Sequence, residues 1–213
     1  MDIDLTAETI GTGGSRLCYA YPGDPSKCVK ICRPDHLLKK QTLRRRLKFW
    51  IARKIPLFNL NWHEYIVWKR YAQHDQIPGF RDFLPLFHDL VKTPLGLALV
   101  MECVRDDNGS ISESLKTWYP KASGADREIA MAQCEHLREL VLTNTLPCFD
   151  WGPQNLLVQY QNGKFQLKLI DFEGALGNNE SIPVSTIIPA LKRAKINRRI
   201  TRGLFAWLAT FDK

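Results

Sequence analysis

The chain has 213 residues, 45% of them apolar and 24% charged, with a net charge of +8, which is long enough to fold on its own as one large domain or two small lobes with a real core. Its acidic, polar start "MDIDLTAETI" does not fit a basic-then-apolar export leader. Its longest apolar stretches, "LGLALVMECV" and "GLFAWLATF", fall well short of the roughly 20 residues that a membrane-spanning helix needs.

The six cysteines, at 18, 28, 32, 103, 134 and 148, form no Cys-x-x-Cys pair and do not cluster with histidines. That usage predicts unbridged thiols in a cytoplasmic protein, with Cys28 and Cys32 serving as core residues. The positive charge is local. Between Arg33 and Lys54 nine Lys or Arg stand against one acid, Asp35, while the rest of the chain balances. Such a patch attracts an acidic partner.

In chain order, "LTAETIGTGGSRLCYAYPGDPSKCVKIC" predicts three short antiparallel strands: one running into Gly11-Thr12-Gly13-Gly14, one over Leu17 to Tyr21, and one over Cys28 to Cys32. Residues 36 to 55 predict a basic helix whose apolar stripe is Leu43, Leu47, Trp50 and Ile51. "NLNWHEYIVWKRYAQH" predicts a second helix with Leu60, Glu64, Val67, Trp68 and Tyr71 on one face, so that Glu64 interrupts an apolar stripe. Two strands follow between residues 83 and 104, joined by a turn at Thr93-Pro94-Leu95-Gly96. "RDDNGS", 105 to 110, is the candidate linker between halves, and Ser110 with Glu113 forms a capping-box pattern for a short helix. A longer helix from Asp126 to Thr145 turns Ile129, Leu137, Leu140 and Val141 to a core; a hairpin with its turn at Gln161-Asn162-Gly163 comes next, and 189 to 211 predicts a last basic amphipathic helix.

Acids and amides mark both mouths of that hairpin. "CFDWGPQN" places Asp150 five residues before Asn155, and "LIDFEG" places Asp171 at the far end. Turn caps explain one such residue, but three in this order are a constellation. A Gly-rich turn, Lys30 inside a strand, Glu64 on a helix, Asp150-x4-Asn155, a hairpin and Asp171-Phe172-Glu173-Gly174 reproduce the order of parts in a protein kinase. The chain, above all 10 to 31 and 148 to 174, resembles the PhoP-regulatory-network YrbL family of small bacterial kinase-like proteins.

The resemblance implies a two-lobed α+β protein-kinase-like fold, with a first lobe over 1–104 and a reduced second lobe over 105–213. It implies ATP and Mg2+ as cofactors. Gly11, Gly13, Gly14 and Lys30 would meet the phosphates, Glu64 would orient Lys30, and adenine would lie against backbone at Glu102 and Val104. Asp150 would be the catalytic base, and Asn155 and Asp171 the metal ligands.

Departures from the kinase pattern shape the functional reading. Arg16 stands at the third glycine position of the turn, Cys148 and Phe149 replace the His-Arg pair, Gly152 replaces a catalytic-loop lysine, and 42 residues follow Asp171. A peptide substrate is thereby disfavoured, and Arg16 is the candidate cation to stand in for the missing lysine. The expected activity is transfer of the γ-phosphate to a hydroxyl of a non-protein, acidic acceptor, a sugar or lipid-linked saccharide. The alternative is a pseudokinase that binds nucleotide and regulates without turnover. The basic helices also suit peripheral contact with an anionic inner-membrane leaflet. Nucleic acid is disfavoured, because Trp50 fits the apolar stripe rather than a stacking platform.

Overall fold

The computed structural model describes residues 9–13, 16–33, 47, 50, 51, 54, 55, 59–71, 77–146, 148, 150–171 and 189–211. The chain forms two compact units, Met1–Trp68 with Leu86–Cys103, and Lys69–Pro85 with Val104–Lys213. The stretch 69–85 therefore groups with the second unit, whereas a single boundary at 104 keeps it in the first.

The first unit is built on a five-stranded antiparallel sheet in the order β1-β2-β3-β5-β4, where β1 is Thr9–Thr12, β2 Arg16–Tyr21, β3 Asp24–Cys32, β4 Phe87–Thr93 and β5 Gly96–Glu102. Strand alternation sorts β3 onto two faces. Val29 and Ile31 join Ala98 and Val100 in a buried apolar cluster, with Tyr19, Tyr21, Val91 and Leu95 packed against it. Cys28, Lys30 and Cys32 take the other face, and they too are buried.

Helix α1, Leu60–Tyr71, begins at Asn59, whose Oδ1 accepts from Asn61 N at 2.9 Å and so satisfies a donor that the first turn leaves without a partner. Its buried residues are Asn61, Glu64 and Trp68. The apolar stripe read from sequence is displaced: Leu60, Val67 and Tyr71 are half-buried, and two of the three buried positions are polar. Trp68 stacks on Phe87 of β4 with ring centroids 5.3 Å apart. Most of the predicted helix at 36–55 lies outside the described residues; Leu47, Trp50, Ile51 and Lys54 are helical. Leu47 and Trp50 are exposed, so Trp50 is not a buried stripe residue as expected.

The second unit contains a small antiparallel sheet in the order β6-β7-β8, with β6 Glu113–Ser114, β7 Leu156–Gln161 and β8 Lys164–Leu169. Asn162 and Gly163 join β7 to β8 with φ of 53° and 72°, the left-handed pair that the tightest hairpins demand. Residues 105–110 are not a linker. Asp106 Oδ1 accepts from Ser112 Oγ and from Tyr160 N, and Asp107 Oδ2 accepts from Asn162 N, so the loop is sewn to the hairpin. The short helix α2, Leu115–Trp118, is capped by Ser114, which accepts from Thr117 N, and not by Ser110; Ser110 instead bonds Asn108.

Helix α3, Gly124–Thr143, is capped by Ser123 and buries Ala130, Cys134, Leu137 and Val141. Ile129, expected inside, is exposed. The C-terminal helix is not continuous. Helix α4, Pro189–Ile200, passes into a π-helical turn at Thr201–Phe205 and then α5, Ala206–Leu208. Ile196, Ile200, Leu204 and Leu208 are fully buried.

Candidate functional site

In the first unit the site grows from the sheet face that carries Lys30. Its Nζ donates to Glu64 Oε1 at 2.9 Å, and Arg16 Nη1 donates to Oε2 of the same carboxylate. Asn61 fixes the surroundings: its Oδ1 accepts from Arg16 Nη1 at 3.2 Å, and its Nδ2 donates to the carbonyls of Lys30 at 2.9 Å and Leu97 at 2.8 Å. One side chain thus ties α1 to β3 and β5. Burial alone pushes the Glu64 carboxyl up, but Lys30 and Arg16 outweigh it and hold it at about 2. The carboxylate stays ionised between two cations.

Arg16 was the sequence candidate for a cation at the transferring phosphate. In the structure Arg16 is buried and bonded to Glu64 and Asn61. Gly11 lies in β1, where an added Cβ would make ordinary contact with Cys18 Cβ at 3.5 Å. At Gly13 the turn is closed by Gly13 N donating to Arg16 O at 2.9 Å, and an added Cβ would press on that oxygen at 3.3 Å. Gly14 lies outside the described residues. Glu102 N donates to Leu86 O, and its carboxylate accepts from Leu86 N at 2.8 Å; Val104 O accepts from Ser112 N at 3.0 Å.

The second unit gathers Asp150, Asn155 and Asp171 at the open end of the β7–β8 hairpin. Leu156 pairs with Leu169, and just beyond this last rung Ile170 N donates to Asn155 O at 2.8 Å. Asn155 is buried and donates through Nδ2 to Asp150 O at 3.4 Å, while its own N–H donates to Gly152 O at 2.9 Å. Asp171 adopts a φ of 64°, a left-handed conformation uncommon for a residue with a side chain. Trp151 is buried and donates from Nε1 to Cys148 O at 3.1 Å. Burial pushes the Cys148 thiol up, with the Asp150 carboxylate adding to it, so this residue is an inert packing group where kinases place a histidine. Phe149, Phe172 and Glu173 lie outside the described residues.

Two further features were not read from the sequence. The side chain of Gln154 lies where a Cβ on Gly152 would stand. The π-turn brings Gly203 against the loop so closely that an added Cβ would stand 2.4 Å from Trp151 O. A lone glycine inside a helical pattern was the available signal. Gly203→Ala must displace the backbone next to Asp150, and a fall in urea-unfolding stability of about 1–3 kcal/mol is expected. Gly124→Ala, at the start of α3 where the space is open, should leave stability unchanged or raise it; equal behaviour of the two variants would refute the contact.

Among the described residues no group of three or more His, Cys, Asp or Glu is placed to hold a metal. Asn155 and Asp171 nevertheless suit magnesium, which takes one or two protein oxygens and completes its shell with phosphate and water. Among the described residues, no helix is long and apolar enough to cross a membrane.

Comparison with known proteins places this geometry in context. The sequence profile of the family "PhoP regulatory network protein YrbL" matches residues 3–205. YrbL of Escherichia coli (strain K12) and YrbL of Shigella flexneri are each 24% identical over 152 residues, or 70% of this chain, and the match spans 61% of their length. Among solved structures, the Rio2 kinase–ADP/Mg2+–phosphoaspartate complex from Chaetomium thermophilum superposes with a TM-score of 0.52 at 14% identity, covering 90% of this chain and 52% of that one. The fold is therefore α+β and kinase-like.

Proposed function

Because the chain belongs to the PhoP regulatory network protein YrbL family and has a kinase-like fold, we propose that it is a small ATP-dependent phosphotransferase that moves the γ-phosphate to a hydroxyl of a non-protein, acidic acceptor. The observation that carries the proposal is the gathering of Asp150, Asn155 and Asp171 at one hairpin mouth. The buried Lys30–Glu64 pair in the first unit supports it.

Each side chain then has a part. Lys30, held by Glu64, neutralises phosphate charge. Asn155 directs Nδ2 at Asp150 O, which leaves Oδ1 as its ligand atom, and Asp171 supplies an anionic oxygen beside it. Bound Mg2+ would screen the phosphate charge that otherwise repels a nucleophile. The Asp150 carboxylate orients the acceptor hydroxyl and takes its proton. The basic run from Arg33 to Lys54 and the basic face of α4 favour an acceptor that is itself anionic, such as a phosphorylated sugar or lipid-linked saccharide.

A second reading has its own observation. With Gln154 over Gly152, no lysine projects from that position of the loop, as suits a nucleotide-binding regulator without turnover. Labelled ATP incubated with the protein and a fractionated envelope or metabolite extract separates the two. Transfer of label to a non-protein fraction is the expected result. A rise in melting temperature with Mg-ATP, with no label transferred to any fraction, would establish the regulator instead.

A further inference from the structure

The sheet face that carries Lys30 also carries a thiol cluster. Cys18 of β2 is directly opposite Lys30, and Ala20 is opposite Cys28, so Cys18 and Cys28 are diagonal neighbours on one face. Met101 of β5 is opposite Cys28 on that face, and Cys103 follows two residues later. Cys28 donates from Sγ to Glu102 O at 3.5 Å. None of these cysteines is in a disulfide.

The thiols differ in reactivity. Cys28 and Cys103 are buried, while Cys18 is half-buried. The neighbouring Cys28 thiol and then Lys30 lower the Cys18 thiol, against burial, Cys103 and Glu64, which raise it. The neighbouring thiols, Cys103 first and then Cys18, raise Cys28, and burial adds to them. A partly accessible thiol directly opposite a cation, with a buried thiol diagonal to it on the same face, is the arrangement of a reactive cysteine and its resolving partner.

We propose that Cys18 and Cys28 form a peroxide-sensitive redox pair that closes to a disulfide beside Lys30. The Cys18 thiolate attacks one oxygen of a peroxide and the O–O bond breaks, giving Cys18 sulfenic acid and hydroxide. The Cys28 sulfur then attacks the sulfenic sulfur; the S–S bond forms, and the displaced hydroxyl leaves as water with the Cys28 proton. Two electrons pass from the thiols to the peroxide. Diagonal neighbours start about 7–8 Å apart at Cα, beyond the separation a relaxed disulfide prefers, so the bond pulls β2 along β3, against their register, and is readily reduced. The pull falls on the rung that Lys30 shares with Cys18, and so on the Lys30–Glu64 contact. The disulfide rests on this geometry alone; its effect on nucleotide rests on the phosphotransfer proposal above.

The test uses the whole chain treated with equimolar hydrogen peroxide, alkylated with N-ethylmaleimide and digested with trypsin. Cleavage after Arg16, Lys27, Lys30 and Lys92 puts Cys18, Cys28, Cys32 and Cys103 in separate peptides. The expected product is peptide 17–27 joined to 28–30, lighter by two hydrogens than the pair and released by dithiothreitol, with Cys32 and Cys103 alkylated. The crosslink should be lost in both Cys18→Ser and Cys28→Ala. Full alkylation of Cys18 after peroxide, or a crosslink from Cys28 to Cys103, overturns the pair. The melting-temperature rise given by Mg-ATP should fall to under half after oxidation and return with dithiothreitol. An undiminished rise in crosslinked protein overturns the effect on the site. No rise in the reduced protein counts against the nucleotide reading while leaving the crosslink standing.

Discussion

On the phosphotransfer proposal, Asp150→Asn is expected to reduce phosphoryl transfer by about 10²–10⁴-fold, the range that a positioned general base supplies, while the protein stays folded and still gains stability from Mg-ATP. The reason lies in how the loop is held. Its hydrogen bonds run through backbone: Asn155 Nδ2 to Asp150 O, Asn155 N to Gly152 O and Trp151 Nε1 to Cys148 O. An amide in place of the carboxylate keeps the shape of residue 150 and those bonds, but it cannot accept a proton from a hydroxyl.

On the same proposal Asp171→Asn should behave differently, weakening the magnesium-dependent part of the ATP-induced stabilisation as well as transfer, because it would remove an anionic oxygen from a hard cation. Rate and stabilisation measured side by side separate the two roles. Full transfer activity in Asp150→Asn would falsify the base assignment.

What the sequence disclosed and what it hid divide along the range of the interaction. The β7–β8 hairpin was legible because Asn162-Gly163 meets a purely local demand, positive φ at two successive residues. The β2–β3 pairing was legible because alternation on both strands points to the same faces. Helix α1 was found, but its buried face was misplaced. Asn61 and Glu64 are buried for the partners they meet on the sheet, and a pattern of apolar residues has no term for that. Arg16 looked like a glycine lost from a loop, and its contact with Glu64 spans 48 positions of chain. The loop at 105–110 has a linker's composition, yet its aspartates cap backbone of the distant hairpin. Ala130 and Cys134 in α3 were passed over because small side chains give a weak periodic signal, although they pack as tightly as leucine.

Removing the Glu64 carboxylate should strongly destabilise the first unit. Glu64 is 1% exposed and is the anion shared by Lys30 at 2.9 Å and by Arg16. In Glu64→Gln both cations remain buried without it, and breaking a buried pair in this way costs about 3–5 kcal/mol. Urea unfolding at neutral pH reads that loss directly.

The acid limb gives an independent check. Because the folded carboxyl is held at about 2, below its ordinary 4.5, its contribution is complete above that ordinary value and is lost as pH falls through the folded one. The loss amounts to roughly 3 kcal/mol. Wild type and Glu64→Gln should therefore be far apart at pH 7 and converge between 4.5 and 2. Lys30→Met and Glu64→Gln should also be non-additive, since each removes part of one network, whereas Arg16→Met leaves the Lys30–Glu64 pair in place and retains the Mg-ATP response. Parallel stability curves for wild type and Glu64→Gln down to pH 2 would show that the carboxylate is not ionised between the two cations.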